Sequence, residues 1–165
     1  MADYTILIID YEPRNVRRLT HTLEGAGFNV AVANDGVSGF RAFERLRPDL
    51  TLIEVMLPRR SGLEVCRDLK RTDHGRESLV VMMTSRFRSR TYRSQALHQY
   101  GADGYLEKPV PEEQLQAILR ELTGKKNPAS IESENDRELD NAVAASGHPN
   151  QVAPKAPPPD GETAP

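Results

Sequence analysis

The chain has 165 residues, 38% of them hydrophobic and 28% charged, which is enough for one packed domain and a further segment outside it. Its 22 basic and 24 acidic residues give a formal net charge of -2, which excludes binding to nucleic acid or to an anionic membrane through overall charge. A single cysteine, no apolar run of membrane-spanning length and no signal-peptide pattern in the first residues predict a cytoplasmic protein without an internal disulfide or a membrane segment.

The first half of the chain alternates strand-like apolar runs with amphipathic helical stripes. Residues 5–9 and 28–32 predict two strands, the second from alternating apolar residues. Apolar residues spaced three and four apart predict helices over residues 13–26 and 37–46. Residues 50–58 form an apolar run between prolines, interrupted by one carboxylate near its end. This pattern is typical of a strand that is buried on both faces.

The second half of the chain continues the alternation. Residues 79–83 and 104–106 predict two further strands, each preceded by a helical pattern, and a last helix is predicted to stop at Gly124. The third helix carries Cys66 at a position that can face the core, and it is predicted to dissolve in the polar residues 72–78. The chain is thus predicted to hold five strands and five helices.

This alternation requires a parallel sheet, because crossovers of a dozen or more residues join strands that run the same way. The strand order most compatible with five such units is 2-1-3-4-5, with helices on both faces and a switch point between strands one and three. Asp10 and Glu54 then face one crevice at the carboxyl edge of the sheet, where Thr84 ends strand four and Lys108 ends strand five. Two carboxylates, a hydroxyl and an ammonium group therefore converge from four strands.

Such a convergence suits a site for phosphate and Mg²⁺. Magnesium takes carboxylate and carbonyl oxygens, while lysine and threonine hold phosphoryl oxygens. Each residue taken singly is more simply a polar surface residue at a strand end, but placement on four adjacent strands favours a site. A dinucleotide-dependent enzyme is disfavoured because the segment IIDYEPRN has no glycine-rich turn. The histidines are scattered without metal-ligand spacing and are interpreted as surface residues: His21, His74, His98 and His148.

Five segments of the chain resemble the receiver domain of two-component response regulators: IIDYEP, PDLTLIEVMLP, SGLEVCRDLK, VVMMTS and GADGYLEKPV. The resemblance runs without large gaps from about Ile6 to Leu122, and the combination of segments is specific. It implies a flavodoxin-like fold, dependence on Mg²⁺, and phosphorylation of an aspartate at the end of the third strand by a partner histidine kinase. It also implies rearrangement of the face formed by the fourth helix, the fifth strand and the fifth helix, through which a dimer could form.

The resemblance fails at two positions of the metal and phosphoacceptor site. Asp10 matches the first of the family's paired acids and the Met56 backbone carbonyl a further metal ligand, but Tyr11 replaces the second acid and Glu54 replaces the phosphoacceptor aspartate. Glutamate places its carboxylate about 1.5 Å farther out, which should slow in-line phosphoryl transfer severely. A phenol in place of an acid should leave Mg²⁺ binding at Asp10, Glu54 and Met56 weak or absent. Glu12 can compensate in part, but its expected role is at the start of the first helix.

The remaining family positions are filled as in a working receiver. The resemblance makes Thr84 the switch hydroxyl, Tyr105 the switch aromatic residue and Lys108 the phosphate-binding lysine. It also implies that the peptide bond before Pro109 is cis.

From the two departures we predict a degenerate receiver that is not an enzyme and needs no cofactor. The longer Glu54 can project its charge toward Lys108 and Thr84 and so imitate the phosphorylated state in part, because one charge and two oxygens replace nearly two charges and three oxygens. Its conformation would be fixed or biased toward the active form, and the protein would act as a docking module. The alternative is a working Mg²⁺-dependent phosphoacceptor that catalyses its own phosphorylation and dephosphorylation.

Four arginines crowd the fourth loop and the start of its helix, close to the face that the family uses for partners: Arg86, Arg88, Arg90 and Arg93. A solvated surface is the simpler interpretation, and a surface for an acidic partner is the functional one. A nucleic-acid backbone could contact this stretch, but no DNA-reading motif follows it, so nucleic acid is not the expected partner. The expected partner is a protein, namely a histidine kinase, another regulator or another receiver.

The receiver-like domain is predicted over residues 1–124, and residues 125–165 are predicted to be a disordered tail. The tail is rich in proline, alanine and acids, and it carries seven acidic against four basic residues. It cannot bury enough apolar area to offset its chain entropy. A tail of this length supplies no output domain, so signalling is expected to pass through protein contacts unless the chain is a piece of something longer.

Overall fold

The computed structural model describes residues 3–125, in which five strands alternate with six helices. The strands are β1 (Thr5–Ile9), β2 (Asn29–Ala33), β3 (Leu50–Glu54), β4 (Leu79–Thr84) and β5 (Gly104–Glu107). The helices are α1 (Pro13–Gly25), α2 (Gly36–Leu46), α3 (Gly62–Arg71), α4 (Asp73–Glu77), α5 (Arg90–His98) and α6 (Glu112–Lys125). The predicted tail lies, except for its first residue, outside the described residues. Within residues 3–125, no helix is both long and apolar enough to cross a lipid bilayer.

The strands form one parallel sheet in the order β2-β1-β3-β4-β5, as predicted. Every residue of the central strand β3 is buried, because helices cover both faces of the sheet. The predicted α/β class and the flavodoxin-like strand order are therefore confirmed.

The sheet separates two hydrophobic cores. On one face Ile6 and Ile8 of β1 pack in a core to which α1 and α6 contribute leucines, and on the other face Leu7 and Ile9 pack with residues of α2, α3 and α5. Successive side chains of a strand point to opposite faces, so a continuous apolar strand supplies both cores. Cys66 of α3 is fully buried in the second core, as predicted, and burial raises the pKa of its thiol to about 12.

The polar residues 72–78 form a short helix, α4, where the sequence predicted an end to helical structure. Thr72 is its N-cap, and the Thr72 hydroxyl accepts a hydrogen bond from the Gly75 N–H at 2.9 Å. A capping hydrogen bond satisfies a backbone donor of the first turn, so this helix forms without the apolar stripe on which the prediction relied. The predicted fourth and fifth helices are therefore α5 and α6.

Two element ends also differ from the prediction. β3 ends at Glu54 rather than continuing to Pro58, because the Met56 N–H turns back to the Glu54 carboxylate at 3.0 Å. α6 includes Gly124, which was predicted to stop it. Gly27 and Gly101 lie shortly after the ends of α1 and α5 with φ of 89° and 77°, a conformation that favours glycine.

The carboxyl ends of four strands meet along one edge of the sheet, and the hydrogen-bond ladder continues one residue past two of them. The Asp10 N–H donates to the Ala33 carbonyl at 3.0 Å, and the Lys108 N–H donates to the Thr84 carbonyl at 2.8 Å. The backbones of Asp10 and Lys108 are thus fixed by a neighbouring strand. The Lys108-Pro109 peptide bond is cis, as the resemblance implied.

Candidate functional site

The Lys108 ammonium group lies among three carboxylates. Its Nζ is 2.6 Å from Oδ2 of Asp10, 2.5 Å from Oε2 of Glu54 and 2.8 Å from Oε2 of Glu12, to which it donates a hydrogen bond. Asp10, Glu54 and Lys108 are each at most 5% exposed. We call these four residues the carboxylate-lysine cluster. It places two buried acids and the half-exposed Glu12 around one buried ammonium group.

Burial and charge act against each other in this cluster. Burial raises the pKa of the Glu54 carboxyl, because it penalises the charged form more than Lys108 and the Met56 N–H stabilise it. Burial also opposes the ammonium form of Lys108, but hydrogen bonds to the three carboxylates outweigh it and raise the Lys108 pKa. Lys108 therefore keeps its charge at neutral pH and is the permanent cation of the cluster.

Asp10 is held by two hydrogen bonds besides its contact with Lys108. Its Oδ1 accepts from the Glu12 N–H at 2.9 Å, and its Oδ2 accepts from the side-chain amide of Asn15 at 2.7 Å. The sequence analysis missed Asn15. A signal was present, because Asn15 stands four residues before Leu19 on the buried stripe of α1, where a polar side chain needs a partner.

Glu54 ends β3 with its carboxylate turned into the cluster. Oε1 accepts the hydrogen bond from Met56, Oε2 contacts Lys108, and 4% of the side chain is exposed. Gly62, the first residue of α3, allows the helix to begin directly against this strand end. A Cβ at Gly62 would lie 2.0 Å from the Glu54 carbonyl oxygen, so only glycine fits there without a shift of the backbone.

Tyr11 and Glu12 differ in their surroundings. Glu12 occupies the N-cap position of α1, but its side chain makes no capping hydrogen bond and reaches Lys108 instead. Glu12 thus stands at the start of the helix, as expected, and its side chain in addition contacts a buried ammonium group, which is a stronger partner than an exposed backbone N–H. Tyr11 is 49% exposed, so its ring lies largely at the surface.

Thr84 and Tyr105 form a second group, which is tied to the loop after β4. The Thr84 hydroxyl oxygen accepts hydrogen bonds from the N–H groups of Arg86 at 3.1 Å and Phe87 at 3.0 Å. Tyr105 is buried, and its hydroxyl donates to the Phe87 carbonyl at 2.5 Å. Burial raises the pKa of the Tyr105 phenol to about 12, more than a hydrogen bond with Thr84 lowers it. Both predicted switch residues thus hold the same loop, residues 85–89.

The four arginines singled out in the sequence are all exposed: Arg86, Arg88, Arg90 and Arg93. Two of them, Arg88 and Arg93, donate hydrogen bonds to backbone carbonyls in and just after β5. Arg88 donates to the Lys108 carbonyl at 2.8 Å and to the Ser85 carbonyl at 3.1 Å. Arg93 donates to the Tyr105 carbonyl at 3.4 Å. The loop is therefore linked to the backbone of the residue that carries the ammonium group.

The acids of the cluster form a donor set that suits a hard divalent cation. Asp10, Glu12 and Glu54 each offer one carboxylate oxygen, and these three oxygens lie within 4.8 Å of one another. Ligands of one Mg²⁺ ion lie at most about 4.2 Å apart, because each is about 2.1 Å from the ion, so a small adjustment of the side chains would accommodate it. The three acids would hold the ion, and Glu12 would supply a charge that Tyr11 cannot. Lys108 already contacts all three acids, so it would compete with the metal.

Residues 6–120 match the family described as the response regulator receiver domain. The chain belongs to this family. The predicted resemblance is confirmed, and the chain is a response regulator receiver of two-component signalling.

Curated relatives of this receiver are longer response regulators. The DNA-binding response regulator MtrA of Mycolicibacterium smegmatis is 37% identical over 137 residues, which are 82% of this chain and 58% of MtrA. The response regulator MprA of Mycobacterium leprae is 40% identical over 124 residues, which are 74% of this chain and 52% of MprA. The chain therefore spans little more than half the length of the curated relatives it matches.

Solved receiver structures are similar to this one along nearly their whole length. The receiver domain of the sensor histidine kinase PA1611 from Pseudomonas aeruginosa, with a magnesium ion coordinated in its active site cleft, is 29% identical with a TM-score of 0.66 and covers 74% of this chain and 99% of that one. The BeF3-activated receiver domain of RstA from Klebsiella pneumoniae is 28% identical with a TM-score of 0.63 and covers 70% and 95%. The receiver fold is thus shared with both structures, and the PA1611 receiver holds a magnesium ion in its own active site cleft.

Proposed function

We propose that this chain is an atypical receiver in which Glu54 replaces the phosphoacceptor aspartate and which acts by docking to another protein. The observation that carries the proposal is the 2.5 Å contact between Oε2 of Glu54 and the Lys108 ammonium group. In this contact a carboxylate oxygen binds the Lys108 ammonium group at the place where a phosphoryl oxygen would otherwise bind.

The geometry of Glu54 disfavours in-line phosphoryl transfer. A donor must bring its phosphorus to about 3–3.5 Å from the attacking oxygen, with the leaving group opposite. Both Glu54 oxygens are engaged, one by the Met56 N–H and one by Lys108, and the side chain is buried. Freeing an oxygen from Lys108 would leave buried charges unpaired, which raises the barrier to attack.

The cation in the cluster supports the same proposal. Lys108 is part of the chain and contacts all three acids. Mg²⁺, in contrast, must bind from solution and either displace the ammonium group from these acids or share them with it. We propose that the protein works without a metal cofactor and that Mg²⁺ binds weakly. Glu12 makes residual binding chemically reasonable, because it restores a third acid beside Tyr11.

Glu54 would imitate the phosphorylated state only in part. Its carboxylate contacts Lys108, whereas the Thr84 hydroxyl oxygen accepts hydrogen bonds from the loop N–H groups. One charge and two oxygens also bind less strongly than a phosphoryl group. We therefore propose a conformational bias that partner binding completes, since a substitute shifts an equilibrium only by its differential affinity for the two states.

The proposed partner is a protein of the same signalling system, namely a histidine kinase, another regulator or another receiver. The exposed arginines beside α5 support an acidic partner surface on the face formed by α5, β5 and α6, and a dimer could use the same face. Reversing the charge of Arg88 and Arg90 should weaken binding to the cognate kinase, whereas reversing Arg45 on α2 should not. Equal binding by all variants would contradict docking at this surface. The name of MtrA includes DNA binding, and we propose that any such activity resides outside the receiver.

Intact mass after treatment with an acyl phosphate and Mg²⁺ tests the proposal. Wild-type protein should keep its mass, whereas the Tyr11→Asp, Glu54→Asp double variant should gain one phosphoryl group. The same double variant should bind Mg²⁺ more tightly in a titration, because it has a carboxylate at position 11 and a side chain shorter by one methylene at position 54.

The second candidate function is a Mg²⁺-dependent phosphoacceptor with autophosphatase activity. Two observations favour it, namely the three carboxylate oxygens within 4.8 Å and the magnesium ion in the similar PA1611 receiver. Labelling of wild-type Glu54, or release of inorganic phosphate from the acyl phosphate faster than in a protein-free control, would establish this function and end the first proposal.

A further inference from the structure

A cleft lined by arginines opens beside the carboxylate-lysine cluster, between α1 and the loops that follow β4 and β5. Arg14 and Arg18 line it from α1, and Arg88 and Ser85 line it from the loop after β4. Lys108 also lines the cleft, so the cleft and the cluster share the same ammonium group.

The three arginines of the cleft have no acidic partner among residues 3–125. Arg18 donates from both Nη1 and Nη2 to the Val110 carbonyl at 3.1 Å. Arg88 donates to the carbonyl oxygens of Ser85 and Lys108. Arg14 makes no hydrogen bond or ion pair with any described residue. Three full positive charges therefore face one cleft, and their described partners are neutral oxygens.

Arginines on the other side of the sheet are arranged differently. Arg60, Arg67 and Arg71 all contact Asp68, so each of them has an acidic partner within the domain. What distinguishes the cleft is that three arginines without an acidic partner line one concave surface together with the Lys108 ammonium group.

We propose that this cleft binds a phosphate-type dianion, with Arg14, Arg18 and Arg88 as its charge partners and the Ser85 hydroxyl as a further donor. Guanidinium groups present paired N–H donors that match phosphoryl oxygens. The carbonyl contacts of Arg18 and Arg88 restrain both side chains, so their remaining donors lose less freedom when an anion binds. The ligand is inorganic phosphate or a phosphate monoester, which share this chemistry.

A bound dianion would also act on the cluster. Glu12 lines the cleft and contacts Lys108, and 46% of its side chain is exposed, so it is the cluster acid most easily displaced. The dianion would compete with Glu12 for the ammonium group and deliver negative charge to Lys108 without a covalent bond. This consequence rests on the proposed function, whereas binding in the cleft does not.

Chemical-shift titration of the isotopically labelled 165-residue chain with inorganic phosphate tests the site, at constant ionic strength and without Mg²⁺. Saturable shifts should centre on the amides of Arg14, Ser85 and Arg88. Arg14→Gln should weaken binding about fivefold, the factor that corresponds to one exposed charge pair of about 1 kcal/mol. Arg17→Gln removes the same charge from the same helix outside the cleft and should change affinity less than about twofold.

Equal losses in the two variants, or shifts that spread over the surface without saturation, would overturn the proposal in favour of general charge attraction. Phenyl phosphate then distinguishes the sources. Binding as tight as that of inorganic phosphate assigns the site to a phosphate monoester, and exclusion of the ring assigns it to free phosphate. Because no Mg²⁺ is present, failure of this titration leaves the proposal about Glu54 untouched, and phosphoryl labelling of Glu54 leaves the cleft untouched.

Discussion

Replacing Lys108 with methionine removes the ammonium group of the cluster while keeping most of the side-chain volume. Asp10 and Glu54 would then be buried next to each other without a counter-charge. Glu12 is half-exposed and can turn toward water, so the cost falls on the two buried acids.

The size of this cost follows from burial. Removing one partner of a buried ion pair costs about 3–5 kcal/mol, because the remaining charge is left uncompensated. Asp10 is 0% and Glu54 4% exposed in their side chains, so this range applies to Lys108→Met at neutral pH. The matched control is Lys70→Met, which removes an ion pair with Asp103 at 2.8 Å and a hydrogen bond to the Ser78 carbonyl at 3.0 Å from a more exposed position and should cost about 0.5–2.5 kcal/mol.

Urea unfolding at pH 7 measures both free energies of unfolding, with the slope checked for constancy. The Lys108→Met, Glu54→Gln double variant should recover part of the loss, with a coupling energy of about 0.5–3 kcal/mol, because a neutral amide needs no counter-charge. If Lys108→Met costs no more than Lys70→Met, or if the second substitution recovers nothing, the ammonium group does not neutralise the cluster and the reasoning is refuted.

Three further predictions concern the surroundings of the cluster. Gly62→Ala should lower the free energy of unfolding by about 1–3 kcal/mol, because its Cβ would meet the Glu54 carbonyl oxygen at 2.0 Å, whereas Gly25→Ala, with no atom within 4 Å, should raise it by about 0.5–1 kcal/mol. Equal effects of the two alanines in urea unfolding would contradict the close approach. The raised pKa of Glu54 contributes stability that is fully present below its ordinary value of 4.5 and is lost as pH rises through the folded value, so wild type should lose stability relative to Glu54→Gln toward neutral pH. A difference in unfolding free energy that stays flat with pH would argue against it. Tyr105→Phe removes the hydrogen bond to the Phe87 carbonyl and should cost about 0.5–1.5 kcal/mol, with faster amide exchange in the following loop, and unchanged exchange would show that the phenol does not hold this loop.

The positions of the main site residues could be predicted because topology determines them. Asp10, Glu54, Thr84 and Lys108 each stand at or just beyond the end of an apolar run, and a parallel sheet brings such ends to one edge. The spacing of the apolar residues and the residues that end each strand or helix are local signals, so the sequence alone is enough to find them.

Other features of the site depend on side-chain direction and on partners far away in sequence. Glu12 turns from the helix start to Lys108, a residue 96 positions later, and no local pattern encodes that choice. Asn15 could have been found as a polar residue on an apolar stripe, but its partner Asp10 depends on how α1 packs at the sheet edge. α4 depends on the Thr72 cap, whose hydrogen bond outweighs a missing hydrophobic face.

The two departures from the family pattern, at Glu54 and Tyr11, are physically consistent with each other. An additional methylene lets the Glu54 carboxylate reach Lys108. A site without an acid at position 11 would bind Mg²⁺ poorly, and the Lys108 ammonium group provides the positive charge in its place. A cation belonging to the chain cannot dissociate, so the charge of such a site would not follow magnesium concentration or phosphoryl turnover. On the proposed function, the signal would come from something that competes for Lys108 or for the loop held by Tyr105, and a protein partner and a non-covalent anion are the two inputs proposed above.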